Sequence, residues 1–258
     1  MQKISIVTGT LNRKEYLPAL LNNTIRADQR LELVLVDGGS TDGTIEMMEY
    51  ISSVEPRLKF IQVGQRSPYP HYMNLGIKNA SHEIVCQWND DILLIDEPVG
   101  RWPKNWQKVF DQIDDEHDAY LFNWKEGYVS EIDDESWLKC SSMRDNGWII
   151  INNADHDYEQ KENEKYGEIV MNYGIYKKDV FREYGMYHPN YKYYCADGEM
   201  AMRAYYKGCK FKCLVDVKVC SIPCEKRAIM LHEDCKRYQV ACKNYVNGKF
   251  EQGYEYLK

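Results

Sequence analysis

The stretch LELVLVDGGSTDGTIEMM, residues 31–48, decides the fold class of this chain. Its first seven residues form an apolar run, which predicts a buried strand that ends at Asp37. The glycine-rich turn 38–43 follows, and residues 44–52 predict a helix that begins at this turn. A strand, a tight turn and a helix in this order are the repeating unit of a parallel α/β sheet.

The segments on both sides of this unit repeat it. Apolar runs predict further strands at 3–8, 58–63 and 83–88, and helices at 16–25 and 70–80. Three βα repeats predict an α/β fold with a Rossmann-like, mostly parallel central sheet flanked by helices.

The rhythm changes after residue 92. Residues 93–166 contain acidic runs and five tryptophans, for which core packing is the favoured interpretation. Regular structure returns at 167–176, followed by a strand at 210–215 and helices at 178–184, 198–207 and 228–245.

Composition excludes some classes of protein. The 258 residues include 33 basic and 40 acidic side chains, and a net charge of -7 excludes nucleic acid as the main partner. The chain opens directly on a strand and contains no transmembrane segment of about 18 apolar residues, so we expect a cytoplasmic protein. Its nine cysteines lack paired C-x-x-C knuckles, which favours reduced thiols over a structural zinc site.

Polar clusters follow three of the predicted strands, at 8–13, 37–43 and 89–91. Ligands of an open parallel sheet collect at the carboxyl ends of its strands. The first cluster has neither the glycine pattern of dinucleotide folds nor that of a P-loop, which excludes those classes. Asp37 can accept hydrogen bonds from a nucleoside, or it can simply brace the turn.

Asp90 and Asp91 are adjacent carboxylates at the end of an apolar strand. Two like charges side by side are unfavourable unless a cation or solvent compensates them. Mn²⁺ or Mg²⁺ is the natural cation, because these ions take one or two protein carboxylates together with substrate phosphates. The alternative is a solvated pair that opens a loop.

The order and spacing of these segments resemble glycosyltransferase family 2. The resemblance covers roughly residues 3–92 and 167–220, and it rests on the motifs SIVT (5–8) with Asn12-Arg13, VDGGSTDGT (36–44), MNLGI (73–77), NDD (89–91), NYGIYKKDVF (172–181) and DGE (197–199). It implies a GT-A fold with a C-terminal acceptor-side subregion and an inverting transfer from a nucleotide-sugar donor.

Site residues are carried over by position. The resemblance implies that the nucleotide is bound by Thr8, Asn12, Arg13, Asp37, Gly39, Asn74 and Asp90. It further implies that Asp90 and Asp91 bind Mn²⁺ or Mg²⁺, with Asp91 the more direct ligand. Asp197 takes the place of the catalytic base and Glu199 is the reserve. The structural alternatives are that Asp197 caps the following helix and that Arg203 pairs with Glu199.

Three positions depart from the family pattern. Met73 stands where many relatives have an arginine near the phosphates, with His71 or Lys78 as possible substitutes. The usual first acidic residue of the metal motif is replaced by Trp88 or Asn89. A histidine expected after the last strand is absent, which leaves His232 as the candidate for that role.

We therefore expect one GT-A domain over 1–258, with a nucleotide-sugar-binding half (1–92), an acceptor-binding half (93–225) and a C-terminal helical tail (226–258). The expected reaction moves a sugar to a hydroxyl of a glycan or other acceptor; UDP is favoured by family frequency, with GDP and dTDP open. A non-catalytic carbohydrate-binding protein on the same scaffold is one alternative. A sugar nucleotidyltransferase is the other, although 8–13 lacks the glycine-rich, Arg- and Lys-bearing loop of that class.

Overall fold

The computed structural model describes residues 2–95, 106–126, 174–221 and 232–258. In chain order the described elements are β1 Ile4–Thr10, α1 Leu17–Asn23, β2 Leu31–Asp37, α2 Thr44–Val54, β3 Leu58–Gln62, α3 Tyr69–Asn79, β4 Ile84–Gln87, β5 Ile92–Ile95, α4 Trp106–Gln112, β6 Ala119–Glu126, β7 Gly174–Lys177, α5 Lys178–Glu183, α6 Ala196–Tyr206, β8 Phe211–Ser221 and α7 His232–Val246.

The eight described strands form one sheet in the order β3-β2-β1-β4-β7-β6-β8-β5. The first four strands in this order are parallel to one another. The other half is mixed, because β7 runs antiparallel to both β4 and β6, β8 runs parallel to β6, and β5 runs antiparallel to β8. The predicted α/β class with a mostly parallel sheet is confirmed.

The N-terminal βα units agree with the sequence-based prediction, and their observed boundaries lie within two residues of the predicted ones. β2 lies between β1 and β3, and all seven of its residues are buried, which explains its continuous apolar run. In α1, Pro18 lies in the first turn, where its missing N–H costs no helical hydrogen bond.

The second half contains three elements that the sequence did not predict, namely β5, α4 and β6. The predicted strand at 210–215 is also longer, because β8 continues to Ser221. The predicted segment 167–173 and the start of the predicted last helix at 228–231 lie outside the described residues.

The core lies on both faces of the sheet. One cluster packs α3, α5, α6 and α7 against the sheet, with Met73 and Tyr187 fully buried. The other packs α1 and α4 against the opposite face and includes Trp88 and Trp106, whose ring centroids lie 5.7 Å apart. Core packing is therefore confirmed for Trp106, whereas the side chains of the other four tryptophans of 93–166 lie outside the described residues.

Candidate active site

The carboxyl ends of β1, β2 and β4 meet at one edge of the sheet, since these three strands are neighbours and parallel. The loop after β4 contacts the end of β1, where the Thr10 hydroxyl donates to Asp90 Oδ2 at 2.8 Å. The clusters that follow β1, β2 and β4 therefore lie along the same edge, as the sequence predicted.

Asp37 organises the turn after β2 from a fully buried position. Its Oδ1 accepts the backbone N–H groups of Gly39 at 2.8 Å and Ser40 at 3.0 Å, and its Oδ2 accepts the Ser40 hydroxyl. Gly39 has φ +89°, and a Cβ there would lie 2.9 Å from the backbone of Gly64, so only glycine fits. Asp37 thus braces the turn, and its contact with a nucleoside stays a prediction.

Asn12 joins the first cluster to the second. Its Oδ1 accepts the Thr41 N–H at 2.7 Å, and its own N–H donates to the Ser40 hydroxyl at 2.8 Å. Asn12 has φ +54°, in the left-handed region that asparagine tolerates better than most residues. Thr8 is buried in β1, and its hydroxyl donates to the Gly9 carbonyl at 3.2 Å.

A tyrosine of α3 covers this edge of the sheet. A Cβ at Gly9 would lie 3.2 Å from the ring of Tyr72, and a Cβ at Gly38 would collide with the Tyr72 hydroxyl. That hydroxyl accepts the Ser67 N–H at 2.6 Å. The two glycines allow α3 to approach the ends of β1 and β2 closely.

The surroundings of Asp90 disfavour the ionised form of its carboxylate. Burial and the neighbouring charge of Asp91 raise the pKa of Asp90 to about 7, although Arg13 and the hydrogen bond from Thr10 oppose the rise. The Arg13 guanidinium lies 5.1 Å from the centroid of the Tyr16 ring. An added cation would lower the energy of this site.

The acidic pair fits a divalent metal shared with a substrate. No group of three or more His, Cys, Asp or Glu side chains forms a metal cage within the described residues. Mg²⁺ and Mn²⁺ do not need one, because one or two carboxylates, substrate phosphates and water complete their coordination. Asp90 and Asp91 offer the required carboxylate oxygens, whereas the side chain of His232 lies outside the described residues.

Asp197 lies in the first turn of α6, a partly exposed position at the N-terminal end of the helix. Its Oδ1 accepts the Gly198 N–H at 2.9 Å, and its carboxylate is hydrogen-bonded to the side chain of Gln87. Burial among protein groups raises the pKa of Asp197 to about 6, and these hydrogen bonds limit the rise. The N-cap is Cys195, so the interpretation of Asp197 as the capping residue is wrong.

Gln87 is a site residue that the sequence analysis missed. It is the last residue of β4, three positions before Asp90. Its Oε1 accepts the Tyr187 hydroxyl at 2.5 Å, and its Nε2 donates to the Tyr69 hydroxyl at 2.7 Å. With Asp197 as a further partner, the amide is held in one orientation. An amide at the end of an otherwise apolar strand was the available signal.

Asn74 supports this arrangement from α3. Its Nδ2 donates to the Tyr187 carbonyl at 2.9 Å, and its Oδ1 accepts the Tyr187 N–H at 3.0 Å. Asn74 thus fixes the residue whose hydroxyl holds Gln87, while its predicted contact with the nucleotide stays untested. Of the possible arginine substitutes, Lys78 lies in the last turn of α3 and pairs with Glu255, whereas His71 lies in the first turn.

Glu199 forms a buried ion pair, as the structural alternative predicted. Arg203 donates to it through Nε at 2.8 Å, and both side chains are fully buried. The Tyr245 hydroxyl donates to the same carboxylate at 2.5 Å, and Arg203 also reaches the Met186 carbonyl at 2.7 Å. These contacts give Glu199 a structural role, and its role as a reserve base stays a prediction.

A Rossmann-like, mostly parallel sheet flanked by helices, with polar clusters at the carboxyl ends of its strands, fits the GT-A class of folds. The chain belongs to the family described as Glycosyl transferase family 2, whose model matches residues 5–185. The predicted family and the GT-A fold are thereby confirmed.

Relatives and solved structures agree with this assignment. The undecaprenyl-phosphate 4-deoxy-4-formamido-L-arabinose transferase of Proteus mirabilis is 27% identical over 118 residues, which are 44% of this chain and 36% of that protein. TarS 1-349 of S. aureus with UDP-GlcNAc has a TM-score of 0.67 at 19% identity, with 97% of this chain and 68% of that one covered. The mannosyltransferase PcManGT of Pyrobaculum calidifontis with GDP-Man and Mn²⁺ has a TM-score of 0.61 at 16% identity, with 88% and 59% covered.

The chain spans 36% to 49% of the length of the curated relatives it matches. Among the residues that the structure describes, no helix combines the length and apolar character needed to cross a bilayer.

Proposed function

We propose that this protein transfers a sugar, with inversion, from a nucleotide-diphosphate donor to a hydroxyl of a glycan or other acceptor. One observation carries the proposal. The candidate base Asp197 is hydrogen-bonded to Gln87, the last residue of the strand that leads into Asp90 and Asp91. The residues proposed to contact the acceptor hydroxyl and the leaving diphosphate therefore lie around the end of one strand.

The donor site is proposed along the edge formed by β1 and β2. Asn12 and Asp37 hold the two loops in a fixed shape through their hydrogen bonds, so a bound nucleoside would meet a rigid surface. UDP is favoured and GDP remains open, since TarS was crystallised with UDP-GlcNAc and PcManGT with GDP-Man. This edge belongs to the proposed nucleotide-sugar-binding half, 1–92.

Asp90 and Asp91 are proposed to hold Mn²⁺ or Mg²⁺. When bound, such an ion stabilises the negative charge that develops on the departing diphosphate. The similar mannosyltransferase was crystallised with Mn²⁺. The raised pKa of Asp90 supports the assignment, because a cation compensates the two adjacent charges.

Asp197 is proposed to accept the proton of the acceptor hydroxyl. A pKa of about 6 leaves this carboxylate ionised at neutral pH, yet makes it a stronger base than an exposed aspartate. Removal of the proton as the new bond forms on the face opposite the leaving group would invert the anomeric configuration. Gln87 keeps the carboxylate in place through its own contacts with Tyr69 and Tyr187.

The test is metal-dependent release of nucleoside diphosphate from UDP-, GDP- and dTDP-sugars, with and without a chelator. Asp197→Asn should lower the rate by at least about 100-fold. Asp179→Asn is the matched control, because Asp179 is an exposed aspartate in the first turn of α5. It should leave the rate unchanged.

Two outcomes would replace the proposal. Saturable binding of sugar nucleotides or glycans without any transfer or hydrolysis would favour a carbohydrate-binding protein on the same scaffold. Formation of pyrophosphate from a nucleoside triphosphate and a sugar phosphate would favour a sugar nucleotidyltransferase, although the loop at 8–13 lacks the composition of that class.

A further inference from the structure

Two cysteine side chains meet beside the helix that carries Asp197. Cys195 is the residue before α6, and Cys235 lies in the first turn of α7. Their sulfur atoms are 3.8 Å apart, and both side chains are partly exposed. The other cysteines whose side chains the structure describes, Cys86, Cys209, Cys220 and Cys242, are buried. This pair is therefore set apart by both contact and access.

The surrounding contacts hold the two sulfur atoms together. The Asp234 carboxylate, itself buried, accepts the backbone N–H groups of Tyr193 at 2.9 Å and Tyr194 at 3.0 Å. It also accepts the Lys192 N–H at 3.2 Å. The residues just before Cys195 are thus fixed to the first turn of α7, next to Cys235. The proximity of the thiols is a consequence of this docking.

We propose that Cys195 and Cys235 are a redox modification site that closes reversibly into an intramolecular disulfide. With hydrogen peroxide as oxidant, one thiolate attacks the peroxide oxygen and becomes a sulfenic acid, and hydroxide leaves and takes up a proton to give water. The second thiol displaces water from the sulfenic acid and forms the S–S bond. Two thiols lose two electrons and two protons, and one peroxide becomes two waters. A reduced dithiol restores both thiols by exchange.

Position and exposure both favour this chemistry. Cys195 lies at the N-terminal end of an eleven-residue helix, where the backbone N–H groups stabilise negative charge. Oxidation selects thiols that are accessible and next to a resolving partner. Among the cysteines whose side chains the structure describes, Cys195 and Cys235 meet both conditions.

Closure of the bond would affect the proposed active site, an effect that rests on the proposed function. The sulfur separation must shrink from 3.8 Å to about 2 Å, and Cys195 is two residues before Asp197. The start of α6 would be drawn toward α7 and the carboxylate would shift relative to Gln87. Because displacements of this size can cost up to about 100-fold in rate, we expect donor turnover to fall about tenfold.

The test treats the full chain with hydrogen peroxide and maps its peptides by mass spectrometry without reduction. We expect one linked peptide that joins Cys195 to Cys235 and is released by dithiothreitol. Cys235→Ser should abolish the link and leave the turnover of the reduced protein unchanged. The matched control is Cys242→Ala, seven residues further along α7, which should keep the link. Circular dichroism establishes that both variants are folded.

A link from either cysteine to any other cysteine, or sulfinic acids without a link, would overturn the assignment. A fully formed Cys195–Cys235 bond with unchanged turnover would overturn the effect on the active site. If the reduced protein turns over no donor, the proposed function fails, whereas the peptide map still decides whether the thiol pair forms its bond.

Discussion

Lowering the pH from 7 to 5 should reduce donor turnover about tenfold, because the base must be ionised to accept a proton. Burial raises the pKa of Asp197 to about 6. Its ionised fraction is then about 90% at pH 7 and about 10% at pH 5. An aspartate with its ordinary pKa would remain more than about 90% ionised at pH 5, so its rate would barely change.

The assay is kcat/KM for the donor across this pH range, with circular dichroism to show that the fold persists. The metal must be saturating, because burial and the charge of Asp91 raise the pKa of Asp90 to about 7 and protons would otherwise compete with the cation. Gln87→Leu supplies the matched comparison. It removes a hydrogen bond that favours the ionised Asp197, so the inflection should move to higher pH.

A flat profile between pH 7 and 5 at saturating metal would refute the assignment of Asp197 as the titrating base. An inflection near pH 6 that does not move in Gln87→Leu would show that another group titrates.

Four further predictions concern stability and metal use. Asp197→Asn should raise the free energy of unfolding, measured in urea at pH 7, by about 1–2 kcal/mol, because the raised pKa means that the ionised carboxylate destabilises the folded state. The gain should vanish below pH ~4, where Asp197 is protonated in both the folded and the unfolded state. Arg203→Met should lower that free energy by about 3–5 kcal/mol, since Glu199 is left buried and unpaired, and adding Glu199→Gln should recover part of the loss. Gly39→Ala should lower the thermal midpoint by an amount equivalent to about 1–3 kcal/mol, because φ is +89° and its Cβ would meet backbone at 2.9 Å. Asp91→Asn should raise the Mn²⁺ concentration needed for half-maximal turnover at least about tenfold in a metal titration.

The N-terminal half could be predicted because its signals are local. β2 is an apolar run that ends in a polar turn at Asp37, and a single βα unit of this kind can be recognised without knowledge of the strands that pair with it. The second half lacks such signals. Residues 92–95 are apolar throughout, and 119–122 are all buried, so neither segment shows the alternation of a half-buried strand. β5 pairs with β8, a partner more than a hundred residues away in the chain, and sequence periodicity does not report such pairing.

The candidate site was likewise predictable from the sequence only in part. Asp37 and Asp90 both follow strands of a parallel sheet, whose carboxyl ends lie at one edge, so the sequence predicts that they share this edge. Gln87 acquires its role from the hydroxyls of Tyr69 and Tyr187, which arrive from other segments. The position of Tyr187 in turn depends on the two hydrogen bonds that the Asn74 side chain forms with its backbone. These contacts follow from tertiary docking, which no spacing rule expresses.

The close fit of Tyr72 over Gly9 and Gly38 has a consequence for sequence divergence. A mutation that gives either glycine a side chain removes the room that the tyrosine ring occupies. Such a mutation requires the Tyr72 ring to shift, or a smaller residue at position 72, and either change disturbs the hydrogen bond that the Ser67 N–H donates to the Tyr72 hydroxyl. Positions 9, 38 and 72 should therefore change in concert across orthologous sequences, and lineages that keep this tyrosine should keep both glycines.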